Sequence, residues 1–236
     1  MVQSCNPSPN DMFDYYDDRL SAERLRRAYE IAPPRVKQYL EAEIDHVESK
    51  IRPGDLVLEL GCGYGRVLER LAKKAERIVG IDTSLSSLLL AQDMLSGFEN
   101  CLLVGADAIH LPFPSGTFNV VACIQNGISA FHVDHRKLIS EAVRVTKTDG
   151  IVLFSSYSDK FWVHRLDWFR LQSEAGLLGE LDEEKTGNGV IVCKDGFTGT
   201  IVRPGHFREL TSGLHAEVQI VEVDSSSVFC EITPIE

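Results

Sequence analysis

The chain has 236 residues, 44 % of them apolar and 25 % charged, and its 24 Lys and Arg against 35 Asp and Glu leave a formal net charge of −11. That is apolar material enough for one sizeable core. The negative field repels polyanions, which excludes DNA and bulk RNA as expected partners unless a local basic patch answers them. The best such patch, Arg19 with Arg24, Arg26 and Arg27, is interleaved with Asp17, Asp18 and Glu23 and reads as a solvated helix face.

In chain order, MVQSCNPSPND is rich in Pro, Ser and Asn and lacks the basic-then-apolar pattern of a secretory signal. DDRLSAERLRRAYEI reads as a helix with Leu20, Leu25, Ala28 and Ile31 at apolar spacing. Pro33-Pro34 ends it and starts RVKQYLEAEIDHVESKI, whose stripe is Val36, Leu40, Ile44 and Val47. From residue 55 the pattern alternates. LVLEL (56–60) is a buried strand, Arg66 to Ala75 a helix, RIVGID (77–82) a second strand, and SLSSLLLAQDMLSG a helix capped by Thr83 or Ser84. CLLVGAD (101–107), NVVACIQ (119–125) and IVLFSS (151–156) are further strands, with HRKLISEAVRVTK as a helix and TDG as a turn before the last. Near-continuous apolar strands separated by helices argue for a parallel sheet covered on both faces.

The remainder differs. SYSDKFWVHRLDWFRLQSEAGLLG is an aromatic helix, VIVCKDGFTGTIV a hairpin turned at Asp195-Gly196, PGHFREL a short helix, and EVQIVEV with SVFCEIT an antiparallel pair. Six cysteines, none in a CxxC pair, read as reduced thiols of a cytoplasmic protein. His132 and His135 stand three apart with no further ligand to complete a metal spacing, so no metal is expected. No apolar run reaches the length of a membrane span, so no membrane partner is expected.

The chemistry concentrates in LVLELGCGYGRVLERLA, where Gly61, Gly63 and Gly65 sit at a strand-to-helix seam and Glu59 precedes them. Glycines there let the backbone turn and approach a ligand, with helix N-terminal amides facing it. Asp82 follows Gly61 by 21 residues at the end of the second strand, the place of an acid that accepts from a ribose diol. The dinucleotide fingerprint G-x-G-x-x-G does not fit, because the third glycine comes one residue early and Arg66 stands in its place.

E-x-G-x-G-x-G with Asp82 downstream resembles instead the class I S-adenosylmethionine-dependent methyltransferases. GADAIHLPFPSGTFNVV, LISEAVRVTKTDGIVLFSS and HFRELTSGLHAEVQIVEV extend the resemblance to roughly residues 55–156 and 204–234. It implies a doubly wound, mostly parallel seven-stranded α/β sheet of Rossmann-like type, with helices on both faces and an antiparallel last strand. On that basis residues 1–50 are a helical cap and 51–156 the cofactor-binding core. Residues 157–203 are a substrate-side insertion of a helix and a hairpin, and 204–236 complete the core.

The resemblance also implies the cofactor, S-adenosylmethionine, with S-adenosylhomocysteine as product, and a role for each site residue. Gly61, Cys62, Gly63 and Gly65 form the loop under its methionine part, and Glu59 holds the loop or the amine. Asp82 with Thr83 takes the ribose, Asp107 the adenine amino group, and Ala108 lies beside the ring. Gln125 and Asn126 lie near the sulfonium, and Tyr15 or Tyr16 closes over the cofactor or packs on the first helix.

A methyl sulfonium is an activated electrophile, so alignment of reacting atoms about 3–3.5 Å apart and exclusion of water carry much of the catalysis. Where the acceptor must lose a proton, His132 or His135 is the candidate base, against a plain structural role for each. The expected partner is a small-molecule acceptor. Phe161, Trp162, His164, Trp168 and Phe169 form an aromatic wall for it, or else a core or homodimer contact. A non-catalytic cofactor-binding partner or sensor, a protein or tRNA methyltransferase and an NAD-dependent oxidoreductase stand as the alternatives.

Overall fold

Apolar runs of five or six residues, too hydrophobic to leave either face in water, place the parallel strands at the centre of the molecule. The computed structural model describes residues 20–235. Helices α1 (Ala22–Glu30) and α2 (Pro34–Lys50) precede β1 (Leu56–Leu60). Then come α3 (Arg66–Leu71), β2 (Arg77–Asp82), α4 (Leu85–Met94), β3 (Cys101–Gly105) and β4 (Phe118–Cys123). The short α5 (Gly127–Ala130) and α6 (His135–Val145) lead to β5 (Thr146–Tyr157), and α7 (Trp162–Glu174) follows a single 3-10 turn. A small hairpin, β6 (Ile191–Val192) with β7 (Thr198–Gly199), stands apart from the main sheet. After α8 (Pro204–Leu210), β8 (Ala216–Val223) and β9 (Ser227–Pro234) complete that sheet.

The seven strands run in the order β3-β2-β1-β4-β5-β9-β8, parallel except for β9, which is antiparallel to both neighbours. The order reverses between β1 and β4, which opens a crevice above the carboxyl ends of those strands. Side-chain alternation divides the core. Leu58, Val121 and Phe154 meet α6 on one face, whereas Val57, Val120 and Leu153 meet α2, α3 and α4 on the other. Leu58→Ala empties a fully buried position on β1 and is expected to cost about 2–5 kcal/mol, read as a lower midpoint in chemical denaturation.

Several boundaries differ from those expected. Helix α3 stops at Leu71 instead of Ala75, and the Asn100 amide group donates to the Ala72 and Ala75 carbonyls at 2.8 and 3.1 Å, closing that turn. Strand β5 begins at Thr146, not at residue 151. Between the pairs Phe118–Thr146 and Val120–Ile151 the TKTDG segment takes five steps against two on β4, and the excess is absorbed as a bulge with Asp149 at φ +63. Strand β4 ends at Cys123 rather than at residue 125, because Gln125 and Asn126 adopt φ +56 and +63, and the chain then continues into α5.

Over the crevice, α1 packs on the segment after β5. Leu20 and Ala28 share a cluster with Phe169, Leu178, Ile191 and Phe197, and Trp168 Nε1 donates to the Ala28 carbonyl at 2.9 Å. Together they form a roof. No helix among the described residues is long and apolar enough to cross a membrane.

Candidate functional site

The glycine loop is laced to the second strand rather than to its own. Gly61 N and Cys62 N both donate to the Ile81 carbonyl at 2.9 Å, and Gly63 N donates to Asp82 Oδ2 at 2.8 Å. Asp82 Oδ1 accepts from Ser84 N at 2.8 Å, so one carboxylate joins the loop to the start of α4. Gly63 holds φ +51, where a side chain is strained, and a Cβ there would lie 3.1 Å from the end of Leu25 in the roof.

Above the loop lies a cavity of about 420 Å³, within the range of small-molecule sites. Its floor is the loop and the strand ends. Its roof includes Leu25, Tyr29, Trp168, Phe169 and Phe197. Several polar atoms that border it are buried without a hydrogen-bond partner among the described residues: Glu59 Oε2, Arg66 Nη2, Gln125 Nε2 and Ser129 Oγ. Native interiors rarely leave such groups unmade, and where they cluster at a cavity a polar ligand is the usual complement.

Charge in the site is unevenly placed. Burial pushes the Glu59 carboxyl up to about 8, with Arg66 opposing and Asp82 reinforcing the shift. Stability from the neutral form is complete below the ordinary value of 4.5 and is lost as pH rises through about 8. Glu59→Gln is therefore expected to flatten the fall of Tm across that window, measured by thermal melting over a pH series. Arg66 lies over the Tyr29 ring at 4.6 Å. Burial holds the Cys62 thiol well above its ordinary value, which makes it a poor nucleophile.

Of the residues singled out in the sequence, Glu59, Gly61, Cys62, Gly63, Asp82, Thr83, Asp107, Ala108, Gln125, Asn126 and His132 line this one cavity. Gly65 does not. It starts α3 at φ +88, and a Cβ there would meet Leu95 at 2.9 Å, so it serves helix packing. Asn126 borders the cavity but its side chain is spent on the scaffold: Oδ1 accepts from Ser156 Oγ at 2.7 Å and Nδ2 donates to the Thr200 carbonyl at 3.0 Å. Asp107 sits at the rim, where Oδ1 accepts from Ile109 N at 3.0 Å.

The two histidines separate. His132 lines the cavity, and burial lowers its pKa, which keeps the imidazole neutral and able to take a proton. His135 is outside the cavity at the start of α6, with its ring 6.1 Å from that of His206, and burial followed by that neighbour lowers its pKa. Tyr15, Tyr16 and Arg19 lie outside the described residues.

Arg66, Tyr29, Tyr157 and Arg165 also line the cavity and were not assigned from sequence. Arg66 could have been found as the cation directly after the loop. Arg165, fully buried among Tyr157, Trp162 and Phe169, had only its place on the aromatic helix to mark it. Among the described residues no group of three or more His, Cys, Asp or Glu could hold a metal ion.

Comparison with known proteins agrees with this geometry. The chain is 30 % identical to a demethylmenaquinone methyltransferase of Thermobifida fusca, over 62 % of this chain and 60 % of that one. It is 28 % identical to a 27-O-demethylrifamycin SV methyltransferase of Amycolatopsis mediterranei, over 78 % and 68 %. The chain spans about half the length of the curated relatives it matches. The fold is that of the [4+2]-cyclase SpnF, with a TM-score of 0.70 at 16 % identity over 98 % of this chain and 97 % of that one. Residues 57–150 match the methyltransferase domain. That match contains the strands carrying the glycine loop, Asp82 and Asp107, and it identifies this stretch of the chain as a methyltransferase domain.

Proposed function

We propose that the chain takes a methyl group from S-adenosylmethionine and passes it to a small-molecule acceptor held under α1 and α7. The observation that carries this reading is the set of buried polar atoms without partners, Glu59 Oε2 foremost, bordering a cavity at the switch point of the sheet. Bound there, the cofactor would supply a methyl group already activated as an electrophile.

The residues have distinct tasks. Glu59 offers a desolvated carboxylate oxygen to the cofactor's ammonium group, a pairing that would draw its proton off. Gly61 and Gly63 keep the floor free of side chains, Asp82 is the acceptor for ribose hydroxyls, and Asp107 with Ala108 receives the adenine. The roof of Tyr29, Trp168 and Phe169 excludes water and offers flat apolar surface to an acceptor. His132 removes the acceptor proton. The similarity to a demethylmenaquinone methyltransferase and a 27-O-demethylrifamycin SV methyltransferase supports a small molecule over a macromolecule. The five free thiols among the described residues fit a cytoplasmic setting.

Incubation with methyl-labelled S-adenosylmethionine and a panel of phenols, carboxylic acids and amines tests the proposal. Label is expected in a small acceptor. Label transferred only to protein or tRNA would overturn the acceptor class. With an acceptor in hand, His132→Ala should slow turnover by roughly 10²–10⁴-fold and leave cofactor affinity within about twofold. His135→Ala should leave both unchanged.

A further inference from the structure

Glu43 lies behind the cavity, and none of the tasks above uses it. It comes from α2, where Val36, Leu40, Ile44 and Val47 form the buried stripe, and it is itself fully buried. A carboxylate in that position is retained only where donors satisfy it. Oε2 accepts from Gln125 N at 2.6 Å and from Ser155 Oγ at 2.8 Å, while Oε1 accepts from Ser227 Oγ at 2.5 Å.

The bond to Gln125 falls on a strained piece of backbone. Gln125 and Asn126 are consecutive non-glycine residues at φ +56 and +63, a conformation that persists only where the surroundings over-determine it. Asn126 is fixed through its side chain by Ser156 and Thr200. Gln125 is fixed through its backbone amide, which Glu43 and Ser155 share. Its side chain is thereby left for the cavity, which it lines, with Nε2 buried and without a partner among the described residues.

The geometry points to Glu43 as a positioning residue, which holds the Gln125 amide from behind the sheet and so aims the Gln125 carboxamide at the bound cofactor. The inference rests on the cofactor reading proposed above. Glu43 touches no ligand. It acts through Gln125, and its removal should matter only while the Gln125 side chain is present.

The test is a double-mutant cycle read by calorimetric titration with S-adenosylhomocysteine. Glu43→Ala and Gln125→Ala are each expected to weaken affinity roughly tenfold, and the double variant to be no weaker than Gln125→Ala alone. Glu43→Gln should restore affinity to within about twofold, because its amide oxygen still accepts from Gln125 N while its NH₂ turns to the Ser227 hydroxyl. Thermal melting checks folding, and Glu43→Leu, of similar volume, replaces the alanine in the cycle if that variant does not fold. Wild-type affinity in Glu43→Ala or Glu43→Leu, or losses that simply add with Gln125→Ala, would overturn the positioning role while leaving the cofactor reading intact. A wild-type protein silent to S-adenosylhomocysteine would overturn both.

Discussion

Gly63→Val is expected to abolish binding of S-adenosylmethionine while leaving the sheet folded. The residue sits at φ +51, which a β-branched side chain adopts only as an outlier, at about 1–2 kcal/mol for the left-handed backbone alone. A Cβ would point toward Leu25 at 3.1 Å, and the two further methyl carbons of valine would enter the space between loop and roof where a ligand must lie. The backbone can relax only by moving Gly63 N, which would break its bond to Asp82. Both routes damage the floor. A loss of more than about 100-fold in affinity corresponds to roughly 2.7 kcal/mol, within reach of strain and blockade together. Titration against the cofactor, with circular dichroism as the fold control, reads the outcome. Retained binding would mean that the loop does not approach the ligand.

Asp82→Ala is expected to weaken cofactor affinity about 30- to 100-fold and to lower Tm as well. The carboxylate has two structural duties besides any contact with ribose, since it accepts from Gly63 N and from Ser84 N at 2.8 Å each. Removing it strands two backbone donors, each worth roughly 1–3 kcal/mol where water cannot reach them. Asp82→Asn separates the two effects. It keeps one acceptor oxygen but turns an NH₂ group toward a backbone N–H, so melting should recover partly while affinity remains reduced. Asp82→Ala binding the cofactor as tightly as the wild type would remove the ribose assignment.

Much of this site was legible in the sequence because the parallel strands announce themselves. Each is a short apolar run ended by a polar or glycine residue, so the carboxyl ends, and with them Glu59, Gly63, Asp82 and Asp107, could be placed together before any contact was known. The seven-stranded, mostly parallel sheet with its antiparallel last strand followed from the family resemblance, whereas the strand order came only with the structure, because strand patterns do not encode neighbours. What stayed hidden depends on tertiary packing. Gly65 looked like its two fellows, yet its neighbours are Ala91 on α4 and Leu95 at the C-terminal cap of that helix rather than the cavity. Asn126 looked like a ligand-facing amide until Ser156 and Thr200 took both ends of it. His132 and His135 stand three residues apart, and the turn into α6, which His135 begins, puts only the first on the cavity.

Glu43 was the one acid set in the apolar stripe of α2, beside Ile44, and that misfit was a signal. Its partners Ser155 and Ser227 are 112 and 184 residues away, so nothing local could have named them. The roof is similar. The aromatic helix was visible, but its contact with α1 through Trp168 and Ala28 joins residues 140 apart.

The most direct measurement is a calorimetric titration of the purified protein with S-adenosylmethionine, S-adenosylhomocysteine and NADH in parallel. Saturable one-site binding of both sulfur nucleotides, silence with NADH, and loss of the signal in Gly63→Val are the expected result. Binding of NADH alone would contradict it and return Asp82 to the role of a dehydrogenase acid.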